Sequence, residues 1–170
     1  MNPKLQYNWH AIYTRPRSEK KALLELEEKG IETYLPLIKT LKQWSDRKKW
    51  VEEPLFKSYI FVRVSQKEYY DAINMFYTVR YICFEGKAVP IPPKQIEAIR
   101  IYISQEENLN VDMSAYKSGE AVHIIEGPLK GLQGTLVRVS GKSKLRIEID
   151  GVGKAVYVDI PGAHVRKAKV

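Results

Sequence analysis

The spacing of apolar residues changes character past the middle of this chain. NWHAIY (8–13) has the composition of a strand. After it, Ala22, Leu23 and Leu26 recur on one side of a helix that Ser18 is placed to cap and that runs through Lys29, where Gly30 supplies a left-handed stop. IETYLPLI (31–38) and LFKSYIFVRV (55–64) predict two further strands. Period-two alternation in the second of these puts Tyr59 and Phe61 on one face and Phe56, Ile60 and Val62 on the other. Tyr69, Ala72, Ile73 and Phe76 follow i, i+3, i+4, i+7 and predict a second helix, TVRYICF (78–84) returns to strand, and Ile96, Ile99 and Ile103 predict a last helix after Pro92 and Pro93. The order βαββαβ plus a helix predicts a ferredoxin-like α+β sandwich over residues 1–103, an antiparallel sheet with helices on one face.

From Gly119 onward the rhythm is strand and turn only. AVHIIE, GTLVRV, KLRIEI and KAVYVDI are short and β-branched, and GPLKG, SGKS and DGVGK separate them. A small barrel of about five strands over residues 116–170 closes so small a sheet without exposed edges. Eight of the ten glycines lie at or after Gly119 and sixteen of the eighteen aromatics precede Ser104, so the two halves are built differently. Residues 104–115, SQEENLNVDMSA, have no periodicity, three acids and no base, and predict an exposed linker.

Charge sharpens this picture. The net formal charge is +8, with 18 basic and 12 acidic residues in 1–103 and 10 basic and 5 acidic in 116–170, so both expected domains favour polyanionic partners, nucleic acid first. The apolar runs fall far short of the roughly 20 residues that cross a bilayer, and the first ten residues lack a signal-peptide core, so a cytoplasmic protein without membrane contact is expected. The single cysteine, Cys83, sits in the apolar run YICF and is expected to be a buried hydrophobe.

Signs of catalysis are thin. Gly141–Lys142–Ser143 matches the end of a phosphate-binding loop, but Leu136 stands where its first glycine is required, and GPLKGLQG precedes a strand instead of a helix N-terminus, so the glycines turn the chain. His10, His123 and His164 show no ligand spacing, and Glu52 and Glu53 are adjacent in an extended segment, pointing apart. No catalytic residue, metal or cofactor is expected. Two features point to binding. KTLKQWSDRKKW (39–50) gathers five basic side chains and two tryptophans around a turn at Ser45 and Asp46, suiting a β-ribbon arm for a nucleic-acid backbone and unstacked bases; a hairpin whose tryptophans fold back on the core is the alternative. KSYIFVRV agrees with the RNA-recognition signature at Lys57, Tyr59, Phe61 and Val62 and departs from it at Ser58, Ile60 and Val64, leaving an RNA-binding module open.

Three stretches together, NWHAIYTRPRSEKKALLELEEKGIETYLP, EEPLFKSYIFVRV and VHIIEGPLKGLQGTLVRV, resemble the NusG family of transcription elongation factors, in which a ferredoxin-like domain is linked to a KOW barrel. Gly127, Pro128, Gly131 and Gly134 carry the KOW part of the likeness. The resemblance implies a monomeric binding protein that grips the clamp helices of the RNA polymerase β′ subunit through an apolar surface of Trp9, Tyr13, Phe56 and Tyr59 and suppresses pausing and termination. It implies upstream or non-template DNA near Arg15, Lys20 and Lys21, to which the arm adds Arg47, Lys48 and Lys49. WSDRKKWVEEPLF looks closest to specialised paralogues of the RfaH and UpxY type, which promote read-through of long operons, often for surface polysaccharides; the stretch YYDAIN departs from the RfaH polymerase contact. General NusG, and an RNA-binding ribosome-associated KOW protein, remain alternatives. The loop DGVGK lacks the bulky apolar residues with which general NusG receives NusE or Rho, which weakens that expected contact.

Overall fold

The first strand forms where the alternation predicts it. In the computed structural model, which describes residues 4–105 and 117–169, β1 (Asn8–Thr14) lies inside a four-stranded antiparallel sheet with the order β2 (Glu32–Tyr34), β5 (Tyr59–Val64), β1 and β6 (Thr78–Tyr81). Counting only these four strands, the order is second, third, first, fourth, that of a ferredoxin-like sheet. The register pairs Ile12 with Ile60 and His10 with Val62 on one face, and Ala11 with Phe61 and Tyr13 with Tyr59 on the other. On the first face Ile12, Ile60, Val62 and Val64 pack with Ala22 and Leu26 of α1 (Glu19–Glu28) and Ala72 of α2 (Tyr69–Ile73). Each fully buried leucine or isoleucine there contributes about 1.5–3 kcal/mol. His10 closes this core from the sheet: its Nδ1–H donates to the Val89 carbonyl at 3.0 Å, its ring meets Tyr69 and Tyr81 edge-on, and burial pushes its pKa below the usual histidine range.

Several local expectations change. Ser18 stands at the N-cap of α1, but its hydroxyl donates back to the Pro16 carbonyl at 3.3 Å and makes no cap to the helix. The other end is closed by a Schellman motif, in which Gly30 N–H (φ 73°) donates to Glu27 and Ile31 N–H to Leu26. α2 stops at Ile73, so Phe76 leaves the predicted helical stripe and is exposed. The run YICF divides after the buried Tyr81 and Ile82. Cys83 and Phe84 form β7 (Cys83–Phe84) of a two-strand hairpin with β8 (Lys87–Ala88), turned through Glu85 and Gly86 at positive φ, and Cys83 is exposed, not buried. Between β2 and β5, β3 (Leu37–Gln43) and β4 (Lys48–Pro54) pair as a separate two-stranded ribbon, with Pro36 ending the predicted 31–38 strand early.

The chain divides into two compact units, Met1–Ile91 and Pro92–Val170. The last predicted helix forms as α3 (Pro93–Ser104), but it belongs to the second unit and not to the first as predicted, and packs there against β11 (Lys142–Ile149) and β12 (Lys154–Val158). Ile96 and Ile99 are buried. Gln95 Oε1 accepts the Asp150 N–H at 2.8 Å, and the Gln105 amide makes two hydrogen bonds to the backbone of Asp159. The expected linker falls largely on residues 106–116, outside the described residues.

The second unit is the expected small barrel. Its five strands run β12, β11, β10 (Gln133–Val139), β9 (Ala121–Ile124) and β13 (Val165–Lys167), all antiparallel. Leu136, Leu145, Ile147, Val156 and Val158 fill its interior. Gly134 is required by close approach: a Cβ there would lie 2.7 Å from Leu145 Cγ and 3.0 Å from the Arg146 carbonyl oxygen. Backbone cannot yield as a flexible side chain does, so Gly134→Ala is expected to lower the stability of the barrel by about 1–3 kcal/mol. Equilibrium denaturation of the full chain measures this; an unchanged midpoint would show that the strand pair separates without cost.

Candidate functional site

The geometry of the aromatic surface is set by one turn. Ser58 adopts a left-handed conformation (φ 65°), its N–H donating to the buried Glu19 carboxylate at 2.7 Å and its carbonyl accepting from Thr14 N–H at 2.9 Å. β5 therefore begins only at Tyr59, and the alternation does not continue back to Phe56. Phe56 instead meets Phe61 edge-on, with centroids 6.0 Å apart, and does not lie on the opposite face with Ile60 and Val62. Tyr59 faces its register partner Tyr13, ring centroids 4.7 Å apart, and its hydroxyl donates to the Tyr13 hydroxyl at 3.1 Å. This bond, with some burial, pushes the Tyr59 pKa up to about 12. The Arg80 guanidinium lies 4.8 Å from the Tyr13 ring centroid, a cation–π contact at the edge of the pair. Tyr13 and Tyr59 are partly exposed, whereas Trp9 and Phe56 are 5% and 6% exposed. Two of the four expected contact residues are thus brought together at the surface and two are buried.

The ribbon separates its side chains by face. Leu41 and Trp50 are register partners, flanked on their face by the Lys39–Glu52 and Gln43–Lys48 pairs; the other face carries Lys42 opposite Lys49 and Thr40 opposite Val51. Trp44 N–H donates to the Arg47 carbonyl at 2.8 Å, closing the tip around Ser45 and Asp46 as predicted, and the Arg47 guanidinium lies 5.9 Å from the Trp44 ring centroid. Trp44 and Trp50 are 53% and 65% exposed, so the tryptophans do not fold back on the core. Among the described residues, none of Arg47, Lys48 and Lys49 is ion-paired.

Arg15, Lys20 and Lys21 divide between two neighbourhoods. Arg15 Nε donates to the Phe76 carbonyl at 2.7 Å with its guanidinium over the Phe76 ring, and Lys21 lies over Tyr77, whereas Lys20 Nζ donates to the Glu52 carbonyl at 3.1 Å and ties α1 to the ribbon. Sequence pattern did not single out Arg80 or Arg17, and it marked Lys57 only as part of the RNA-recognition signature. Arg80 is paired through its register with Tyr13 across β1 and β6, a contact between segments distant in the chain.

In the barrel, Gly127 (φ 86°) and Gly131 (φ 95°) turn the GPLKG loop, two of whose amides are spent internally: Lys130 N–H donates to Gly127, and Gly131 N–H to Ile124. Pro128 is exposed and Leu129 is buried beneath the loop. Those two donors are not available to cradle a phosphate. The GKS stretch is likewise a hairpin turn, Ser140 and Gly141 at positive φ between paired Val139 and Lys142. Among the described residues no group of three His, Cys, Asp or Glu side chains is placed to hold a metal ion, and no helix is long and apolar enough to cross a membrane.

Residues 7–100, more than half of the chain, match the family model of transcription termination factor nusG. The chain belongs to the NusG family. It is 24% identical over 148 residues to the transcription termination/antitermination protein NusG of Vibrio parahaemolyticus, covering 84% of this chain and 80% of that protein. It is 23% identical over 167 residues to the NusG of Pseudomonas aeruginosa, covering 95% and 92%. The fold is similar to that in a solved structure described as domain interaction in Thermotoga maritima NusG, with a TM-score of 0.54 and 20% identity over 96% of this chain and 98% of that one. Family members are transcription factors.

The exposed cations of the ribbon suggest contact with phosphates irrespective of base. Changing Arg47, Lys48 and Lys49 together to glutamine is expected to weaken binding to unrelated duplex sequences alike and to lower the slope of log K against log salt by about 2–3. Fluorescence anisotropy across a salt series measures it; an unchanged slope would leave the ribbon a solvated hairpin.

Proposed function

We propose that this NusG-family chain is a specialised elongation and antitermination factor. Its first unit docks on the β′ clamp helices of RNA polymerase through the Tyr13–Tyr59 pair, while the ribbon and the start of α1 lie against DNA. The observation that carries this reading is the pairing of two partly exposed tyrosines beside Arg80, on the same unit as a ribbon whose cations and tryptophans are exposed. Trp9 and Phe56, both buried, stand outside this contact. The function is binding without catalysis, in keeping with a family of transcription factors. Long operons, such as those for surface polysaccharides, are the proposed targets, on the likeness of WSDRKKWVEEPLF to specialised paralogues.

Tyr59→Ala removes a central interface aromatic and is expected to cost about 2 kcal/mol of polymerase binding, roughly a 30-fold rise in Kd. Phe56→Ala is unsuited to this test, since emptying a buried phenylalanine site costs about 3–5 kcal/mol of stability. Titration of purified polymerase with folded Tyr59→Ala decides: a Kd within twofold of the parent would remove the proposed surface.

The loop Asp150–Lys154 supports the specialised branch over general NusG. Gly151 and Gly153 take positive φ, and Val152, its one branched apolar side chain, is turned inward and 5% exposed. Little apolar area is left for a docking partner at roughly 25 cal/mol per Å². A contact weaker by about 2–3 kcal/mol corresponds to a Kd for NusE or Rho roughly 30- to 150-fold above that of a general NusG. Calorimetric titration of the full chain with each partner, beside a general NusG, tests this. Equal affinity would overturn the distinction.

A further inference from the structure

Tyr59 on β5, Tyr13 on β1 and Arg80 on β6 are register partners across three neighbouring strands, and they form one row on the sheet face opposite the helices. The next row, Phe61 beside Ala11, is buried. Tyr13 and Tyr59 are partly exposed and Arg80 is exposed, so at this row the face meets solvent. The Arg80 guanidinium lies over the Tyr13 ring, 4.8 Å from its centroid. Its charge also reaches Tyr59, where it acts against the Tyr13 hydrogen bond and the burial that push the pKa of that hydroxyl up.

Arg63, on the same strand as Tyr59, is paired with Glu32 at 3.0 Å, whereas among the described residues Arg80 has no acidic partner. A guanidinium resting on an aromatic ring uses its flat face for that contact. Its N–H donors lie in its plane and stay available to an acceptor. Docking through Tyr13 and Tyr59 covers this guanidinium as well, because it lies against one of the two rings. A charge stripped of water and left unpaired is strongly unfavourable, so a partner that buries the tyrosines must bring an acceptor for Arg80. A carboxylate meets that need best, since it carries the opposite charge and its two oxygens match the guanidinium fork.

We propose that Arg80 is a specificity-determining residue of the docking surface: seated over Tyr13, it receives the carboxylate of an aspartate or glutamate on the partner helix, beside the apolar contact made by the two tyrosines. The proposal rests on the polymerase docking proposed above and narrows the partner's contact to an apolar patch flanked by an acid. Tyr59 and Tyr13 supply contact area, and Arg80 rejects helices whose flanking residue is neutral or basic.

The test titrates core polymerase free of nucleic acid with the labelled full chain and with its Arg80→Gln, Arg80→Lys and Tyr59→Ala variants, each shown to be folded by its melting curve. Without nucleic acid, a lost phosphate contact cannot account for any change. Arg80→Gln is expected to raise Kd about 10-fold at low salt, with the difference shrinking to about threefold or less near 0.5 M salt. Arg80→Lys keeps the charge without the fork and is expected to leave Kd at least about threefold above the parent. A Kd for Arg80→Gln within twofold of the parent at low salt, a loss that salt does not diminish, or full recovery in Arg80→Lys would overturn the proposal. Where Tyr59→Ala weakens binding and Arg80→Gln does not, the Arg80 pairing fails and the docking stands; where neither weakens it, the docking reading fails and takes the pairing with it.

Discussion

The backbone amide of Ser58 points into the buried carboxylate of Glu19 at 2.7 Å, and the layout of the first unit depends on that bond. A left-handed serine costs about 1–2 kcal/mol, whereas a hydrogen bond to a charged acceptor contributes about 1.5–3 kcal/mol, so the turn holds. Once it is fixed, β5 starts at Tyr59, Tyr59 falls opposite Tyr13, and Phe56 folds onto Phe61. The same turn, with Lys57 beside it, lines an open cleft that also takes in Lys20 and Lys21 of α1 and Lys42 of the ribbon. An aromatic surface and a cationic surface are thus set by one contact between a helix start and a loop nearly forty residues away.

The ribbon depends on its base in turn. A two-stranded hairpin is marginal alone in water. Here Leu55 N–H donates to the Pro36 carbonyl across its root, Lys20 bonds to the Glu52 carbonyl, and Lys42 pairs with Glu53. Exposed ion pairs contribute at most about 1 kcal/mol, so the backbone bonds carry more of this anchoring. The ribbon presents Trp44 and Trp50, both exposed, with Arg47, Lys48 and Lys49, none of them ion-paired among the described residues.

Much of this architecture was legible because alternation and helical spacing record which faces are buried. NWHAIY, YIFVRV and the four barrel runs became strands, and Gly30 ended its helix as its backbone freedom allows. What was not legible depended on contacts far along the chain. Phe76 continues a helical stripe, but α2 stops short of it and Arg15 covers its ring instead. Cys83 sits in an apolar run, yet its hairpin leaves the sheet. Ile96 and Ile99 announced a helix without saying which unit it would join, since periodicity specifies a buried face and not its partner. Of the candidate site residues, the exposed ribbon was foreseen, while the burial of Phe56 follows from the Ser58 turn, which no local motif marks, and Trp9 is covered within β1, opposite Arg63 and bridged to Ile91.

The most direct measurement is site-specific photo-crosslinking in a reconstituted elongation complex, with a photoreactive amino acid placed at position 59 or at position 44. Cross-links from position 59 are expected on the β′ clamp helices, and from position 44 on nucleic acid. Cross-links from position 59 to nucleic acid alone, or from position 44 to protein alone, would contradict the division of this unit into an aromatic polymerase surface and a cationic nucleic-acid surface.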